Sequence, residues 1–237
     1  MKQRSVAWDK DDAGAEYVEV TLATDGLSAS GVAIGGEPVA YRLDYTLETG
    51  PDFVTARLEV TARGEGWRRT LDLRRGGSGD WTASVTADGN PPDSLDPPGA
   101  GPEGTAGGRA APHGGPAAPH GGPAAPGASA GGTPEGLRGL GGALDCDLGL
   151  SPLTNSMPVL RHRLLEVDGS VDFLMAWVSV PDLGVRPSRQ RYTALRGDPG
   201  GDRLIRYESV DSTFTADLVF DRDGLVIDYP GIGRRLG

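Results

Sequence analysis

The 237-residue sequence is short of several features that mark common protein classes. Its single cysteine, Cys146, excludes an internal disulfide, so nothing in the chain demands an oxidising compartment. The longest apolar run, Phe173 to Val178, is far shorter than the roughly 20 residues of a membrane-spanning helix. The N-terminal residues lack the apolar core of a signal peptide. We therefore expect a cytoplasmic protein that is not integral to a membrane.

Positive charge and histidine are also scarce. The 23 Lys and Arg residues against 33 Asp and Glu residues give a net charge of −10. Binding to phosphate groups needs a basic face, so this balance argues against a nucleic-acid partner. Of the 3 histidines, His113 and His120 lie in a repetitive tract and are too few to form a metal site. We expect no metal and no other cofactor.

What the sequence does contain is apolar residues at every second position, which is typical of strands with one buried and one exposed face. The pattern is clearest in four segments: Val18–Leu22, Leu43–Leu47, Val54–Val60 and Phe214–Phe220. Asp-Gly pairs that begin at Asp25, Asp168 and Asp223 predict tight turns between antiparallel neighbours. The sequence predicts an all-β, mainly antiparallel fold of roughly ten to thirteen strands, as a sandwich, barrel or rolled sheet.

The composition changes between Asp88 and Gly141, where Gly, Pro and Ala dominate and the string APHGGPA occurs twice. Such a tract cannot bury enough apolar surface to offset the entropy lost on ordering. Residues 88–141 are therefore predicted to be a disordered insert. Residues 1–87 and 142–237 are predicted to be the two halves of one β domain.

The stretch Leu144–Pro158 departs from the strand pattern and carries a dense set of polar side chains. A polar, irregular segment inside a repetitive sheet protein marks a special loop. Pro152 and Pro158 restrict the backbone of the bend on either side. We expect Thr154 and Asn155 to stabilise this bend through short, local hydrogen bonds.

Candidate catalytic groups lie in the same stretch. Asp145 and Asp147 share one face of a predicted strand, where they could bind a hard cation or act as an acid–base pair; an exposed strand face is the alternative. Cys146 could form a dyad with His162, the remaining histidine. The flanking carboxylates favour the protonated thiol, so a buried structural cysteine is the alternative.

A basic cluster follows a segment, residues 171–180, that is apolar on both faces and predicts a central strand or one that lines an interior. Arg186, Arg189 and Arg191 precede Tyr192. Arginine forks bind carboxylates and phosphates, so the cluster predicts an anion site unless it pairs with the protein's own acids. Trp177 could stack on a sugar or form part of a cavity wall.

Several strings occur in an order that resembles a known family: DCDLGLSPLTNSMP, VSVPDLGVRPSRQRYTAL, RYES and FTADLVFDRDGLVIDYPG. They are similar to the putative glycolipid-binding protein family of bacteria over residues 145–235, and more loosely in the first half. The resemblance implies a single-domain spiral β-roll, similar to lipoprotein-carrier proteins, that encloses an apolar cavity. Two departures are the insert and Ala143, which stands where the family often has a cysteine.

The resemblance implies non-catalytic binding or carriage of a hydrophobic or amphiphilic ligand, such as a glycolipid, in that cavity. The candidate ligand-contacting residues are Asp145, Asp147, Thr154, Asn155, Trp177, Arg186, Arg191 and Tyr192. One alternative is a hydrolase or transferase that acts on a similar molecule through Asp145, Asp147 or His162. The other is a protein-interaction domain without a small ligand. The sequence predicts neither the identity of the ligand nor the oligomeric state.

Overall fold

The computed structural model describes residues 1–11, 13–37, 39–89, 137–195 and 201–237. In this part of the chain, 14 strands form a single sheet that does not close on itself. The predicted all-β class is confirmed. The number of strands exceeds the prediction because the short strands near the C-terminus are too brief to show a clear alternation.

The strands of the first half are β1 (Lys2–Lys10), β2 (Gly14–Leu22), β3 (Leu27–Gly35), β4 (Tyr41–Thr49), β5 (Thr55–Gly64), β6 (Trp67–Arg75) and β7 (Trp81–Asp88). Those of the second half are β8 (Asp145–Leu148), β9 (Gly169–Val178), β10 (Val185–Ala194), β11 (Arg203–Ser209), β12 (Thr215–Phe220), β13 (Val226–Tyr229) and β14 (Gly233–Arg235). An α-helix, α1 (Ser156–Arg161), follows a 3-10 turn at Leu153–Asn155, and a second 3-10 turn at Pro51–Phe53 joins β4 to β5. Among the residues described, no helix is both long and apolar enough to cross a membrane.

The sheet runs from β7 at one edge, through β1 and β14 at the centre, to β8 at the other edge. The first and last strands pair directly, with Trp8 opposite Arg235. Neighbouring strands are antiparallel, as the Asp-Gly pairs at Asp25 and Asp223 predict, except that β8 runs parallel to β9. The prediction was wrong for the pair at Asp168, which leads from α1 into β9 and does not join antiparallel neighbours. The parallel pairing has a physical reason, because the helix α1 forms the crossover connection that parallel strands require. Strands from both halves therefore share one sheet.

The inner face of the sheet carries the apolar side chains of each strand. Trp8 is fully buried at the junction of the halves, and its indole nitrogen donates to the carbonyl of Val226 at 3.0 Å. Across the second half, the rings of Phe173, Tyr192 and Tyr207 pack edge to face, with centroids 5.4 and 5.5 Å apart. One continuous core thus extends across both halves.

Two sequence predictions need correction. Of the two alternatives for residues 171–180, a central strand is wrong, because β9 lies second from the edge. Both faces of β9 are buried near its end, where Ala176, Trp177 and Val178 follow one another. The segment Leu137–Gly141, predicted to belong to the insert, is packed against the core, because Leu137 and Leu140 are buried. Asp88, which is also predicted to belong to the insert, is the last residue of β7. The rest of the predicted insert, residues 90–136, lies outside the described residues.

Candidate functional site

The polar stretch Leu144–Pro158 forms the edge strand β8, a loop, a 3-10 turn and the start of α1. The backbone amide of Cys146 donates to the Thr55 hydroxyl at 2.9 Å, and the amide of Leu148 donates to the Thr154 hydroxyl at 3.2 Å. Because β8 is an edge strand, these amides have no further strand to donate to, and side-chain hydroxyls accept their hydrogen bonds instead.

Hydrogen bonds inside the bend use the side chains that the sequence singled out. The Thr154 hydroxyl donates to Asp147 at 2.9 Å, and the side-chain amide of Gln190 donates to the same carboxylate at 2.6 Å. The Tyr192 hydroxyl donates to Asn155 Oδ1 at 2.7 Å, and Asn155 Nδ2 donates to the carbonyl of Pro152 at 3.3 Å. Burial raises the pKa of the Asp147 carboxyl, and the bonds from Gln190 and Thr154 partly oppose this shift.

Asp145 and Cys146 are also buried in the structure, and Asp145 forms an ion pair. The Arg161 guanidinium donates to Asp145 Oδ1 at 2.7 Å, and both side chains of this ion pair are largely buried. Cys146 is fully buried, and burial raises the pKa of its thiol to about 12. His162 is exposed and packs edge to face on Phe173 at 5.1 Å. A protonated, buried thiol is a poor nucleophile.

The predicted basic cluster does not converge on one point. Arg189 pairs with Asp211, and Arg191 pairs with Asp172 at 2.6 Å. The Arg186 guanidinium lies over the ring of Trp177, 4.7 Å from its centroid. Each of the three arginines thus has its own partner on the protein.

The space beside the polar stretch is small. A cavity of about 20 Å³ lies between the loop and the inner face of the sheet, lined in part by Asp147, Asn155, Trp177, Tyr207 and Tyr229. This volume accommodates about one water molecule. Sites for small molecules usually measure about 300–1,000 Å³. The structure therefore brings most of the predicted site residues together, but around a packed interior.

A larger concavity lies on the opposite, outer face of the first half, across β1, β2, β3 and β4, with a volume of about 420 Å³. Its floor lies over Val20, Ala29 and Leu47, whose side chains are buried on the inner face. The strand register aligns two rows of outward side chains as its walls: Gln3, Thr21, Ser28 and Glu48 in one row, and Ser5, Glu19, Ser30 and Thr46 in the other. We call this concavity the outer groove.

The middle of the outer groove is lined by short side chains. On β3, Ser28 lies between Thr21 and Glu48, and Ser30 lies between Glu19 and Thr46. A second concavity of about 260 Å³ continues over β3, β4 and β5 and is lined by the same Ser30 and by Thr46. Of the three concavities, the outer groove is the one that reaches the usual size of a small-molecule site.

Carboxylates and hydroxyls dominate the chemistry of the outer groove. Glu19 accepts a hydrogen bond from the Tyr17 hydroxyl at 3.3 Å. Arg4, the one basic residue in its lining, is paired with Asp223 and Asp221 of the second half. In the part of the chain that is described, neither Glu19 nor Glu48 belongs to an ion pair within 4 Å.

An apolar strip adjoins the outer groove on the same face of the sheet. Val32 lies opposite Tyr17, and Ile34 follows two positions later on β3. Tyr17 and Ile34 each expose 48% of their surface, which is unusual for large side chains of this protein. Tyr17, Val32 and Ile34 are the apolar strip below. A polar concavity and apolar side chains thus lie next to each other.

Comparison with known proteins agrees with the resemblance seen in the sequence. The family described as "Putative glycolipid-binding" matches residues 5–96 and 128–235. The chain belongs to this family. A crystal structure of a DUF1089 family protein from Pseudomonas aeruginosa covers 93% of this chain and 92% of its own, with 24% identity and a TM-score of 0.58. This likeness concerns the fold. No curated protein matches the chain.

The match to the glycolipid-binding family covers the polar stretch and most of the outer groove. The first matched segment contains the lining of the outer groove except Gln3 and Arg4, the second contains the polar stretch, and the unmatched residues 97–127 fall within the predicted insert. Sequence reasoning missed the outer groove because serine and threonine are ordinary on the solvent side of a strand. The available signal was Tyr17 and Ile34, two large apolar residues on the polar side of the alternation.

Proposed function

We propose that the protein binds a glycolipid, or another amphiphile with a hydroxyl-rich head group, at the outer groove and the apolar strip, without transforming it. One observation carries this proposal: a polar groove of about 420 Å³ lies beside exposed apolar side chains. An amphiphile has the same two parts joined covalently. The family label supports a ligand of this kind.

The sizes of the two concavities support the outer face over the interior as the binding site. The interior cavity, at about 20 Å³, is more than an order of magnitude smaller than the outer groove. A ligand in the interior would also have to break the hydrogen bonds of Asp147, Asn155 and Tyr192. In this proposal the polar stretch holds the second half in shape, and contact between its residues and a ligand stays a prediction.

A non-catalytic role is supported by the state of the reactive groups. The Asp145 carboxylate is held by Arg161, and the Cys146 thiol is protonated and buried. Glu19 and Glu48 both line the outer groove, and analysis of the lipid recovered after binding tests whether this pair of carboxylates cleaves a glycosidic bond. We further propose that residues 1–87 and 142–237 form one domain and that carriage of the ligand takes place in the cytoplasm, where a free thiol such as Cys146 is common.

Flotation with lipid vesicles tests the proposal. Phosphatidylcholine vesicles with and without monoglucosyl diacylglycerol are mixed with the full-length protein and separated by density. We expect the protein to float only with the glycolipid. Ser30→Arg should abolish flotation, because the long side chain fills the outer groove, whereas Ser84→Arg, at an exposed outer-face serine on β7, should float normally.

Either of two flotation results would overturn the proposal. Equal flotation with both vesicle types would mean that the head group is not recognised, and no flotation would mean that a glycolipid of this kind is not bound. Mass spectrometry of the recovered lipid covers the catalytic alternative: loss of the sugar, or its transfer to another acceptor, would identify an enzyme.

A further inference from the structure

We infer that the outer groove selects an uncharged sugar over an anionic head group, with Glu19, Ser30 and Glu48 as its hydrogen-bonding partners and the ring of Tyr17 as its stacking surface. This inference rests on the proposed function and specifies the chemistry of the ligand at the same site. Three features of the outer groove support it: its charge, its donors and acceptors, and its rim.

The charge of the outer groove disfavours an anion. Glu19 and Glu48 both face it, and neither belongs to an ion pair among the described residues. The nearby guanidinium groups are engaged elsewhere: Arg4 pairs with Asp223, and Arg57 pairs with Asp72 at 2.9 Å. A phosphate or carboxylate placed here would meet two like charges, and both of these guanidinium groups already pair with carboxylates of the protein.

The hydrogen-bonding groups match the hydroxyls of a sugar. A carboxylate only accepts hydrogen bonds, so Glu19 and Glu48 can receive those that sugar hydroxyls donate. The hydroxyls of Ser28 and Ser30 can either donate or accept. Both serines are exposed, and no hydrogen bond to another described side chain holds either of them. A ring with several hydroxyl groups can therefore use all four side chains.

The rim supplies an aromatic surface. Tyr17 is 48% exposed, and its hydroxyl donates to Glu19 Oε1 at 3.3 Å, which places the ring beside the outer groove. The C–H face of a sugar packs well on an aromatic ring that carries a polar tip. The rest of the apolar strip, Val32 and Ile34, continues away from this ring and can contact the lipid part.

Titration of the full-length, isotope-labelled protein by NMR tests the inference. The probes are methyl β-D-glucopyranoside, methyl β-D-glucuronide and inorganic phosphate. We expect the glucoside to shift the amide signals of Glu19, Ser28 and Ser30, and the two anions to leave them unchanged. In the double variant Glu19→Gln, Glu48→Gln, the preference for the glucoside over the glucuronide should fall by on the order of tenfold, because the repulsion is removed.

Two variants of Tyr17 separate stacking from its hydrogen bond. Tyr17→Phe should keep glucoside binding within about twofold, whereas Tyr17→Ala should lower it by about fivefold or more. Tyr17 faces solvent on β2, so neither substitution should alter the spectrum far from this strand.

Failure of the inference can be told apart from failure of the proposed function. If the anions bind as well as the glucoside, or if the glucoside does not bind while glycolipid flotation persists, the inference is wrong and the proposed function stands. If neither the glucoside nor the glycolipid vesicles bind, both are wrong. An unchanged glucoside-to-glucuronide preference in the double variant would also overturn the inference.

Discussion

At the scale of single residues, Asn155 joins two parts of the chain that lie far apart in sequence. It accepts a hydrogen bond from the Tyr192 hydroxyl, 37 positions away, and donates to the carbonyl of Pro152. Both side chains are buried. Their hydroxyl and amide groups therefore cannot exchange these bonds for water.

Asn155→Ala should lower the free energy of unfolding by about 1–3 kcal/mol, because it leaves the buried Tyr192 hydroxyl without this partner. Urea denaturation followed by fluorescence measures the loss. Tyr192→Phe in the same background should recover part of it, since the unpaired hydroxyl is then removed. A variant as stable as the wild type would show that the polar stretch does not depend on this bond.

The burial of the Asp147 carboxyl predicts how the stability of the protein depends on pH. Burial raises its pKa above the ordinary 3.8, so the folded state holds the proton more tightly than the unfolded state. The contribution of Asp147 to stability is fully present below pH 3.8 and is lost as the pH rises through the folded-state pKa.

The stability of Asp147→Asn relative to the wild type should therefore increase as the pH rises from about 4 towards neutrality. Urea denaturation of both proteins at several pH values measures this difference in unfolding free energy. The amide cannot ionise and so lacks the cost of a buried charge. A difference that stays constant over this range would contradict the raised pKa.

For single residues, the sequence predicts what kind of interaction a side chain makes better than it predicts which residue is the partner. The prolines around the bend indicate that Thr154 and Asn155 form local hydrogen bonds, and Asn155 does so with Pro152. Nothing in the sequence indicates that Tyr192 is the partner of Asn155 or that Gln190 is the partner of Asp147, because those contacts depend on how β10 lies against the loop. The excess of acid similarly favours paired arginines without naming Asp172 as the partner of Arg191.

At the scale of elements, the edge strand β8 depends on a side chain from the other half of the chain. Strand β5 contains a bulge, since Glu48 pairs with Arg57 but Thr49 pairs with Thr55. The bulge leaves Thr55 buried, where its hydroxyl accepts from the Cys146 amide. A sequence reading with strict alternation wrongly puts Val54 and Ala56 on the buried face with Leu58.

Thr55→Val should destabilise the protein by about 1–3 kcal/mol, because a methyl group of the same size leaves the amide of Cys146 unsatisfied. Thr82→Val, at an exposed position of β7, is the matched control and should change stability by less than about 0.5 kcal/mol. Thermal and urea denaturation of both variants provide the measurement. Equal effects of the two substitutions would remove the special role of Thr55.

The elements show why the fold was more predictable than the outer groove. Alternation indicates β2 and β4 and which of their residues face solvent, because it depends on each strand alone. The outer groove depends on the register of four strands, which aligns Ser30 with Glu19 and Thr46. The parallel pairing of β8 likewise depends on the crossover through α1, which no local pattern specifies.

At the scale of the whole molecule, the predicted insert separates two halves that share one sheet. Replacing residues 90–136 with a flexible Gly/Ser linker of about 10 residues should change stability by only about 1–2 kcal/mol, since the entropy of loop closure varies slowly with length. Extending the deletion to residue 141 removes the buried Leu137 and Leu140 and should cost clearly more.

Melting temperatures of the two deletion variants measure this difference. The result expected is a folded shorter deletion and a markedly less stable longer one. A shorter deletion that fails to fold would show that residues 90–136 contribute to the domain. Two deletions of equal stability would show that the packing of Leu137 and Leu140 contributes little.

The central claim is that the outer face, and not the interior, contacts the ligand. The most direct measurement is photo-crosslinking of the full-length protein with a monoglucosyl diacylglycerol that carries a diazirine in one acyl chain, followed by peptide mass spectrometry. The account predicts adducts on β2 and β3, at or next to Tyr17, Val32 and Ile34. Adducts concentrated on Leu144–Pro158 or at Trp177, with β2 and β3 unlabelled, would contradict it.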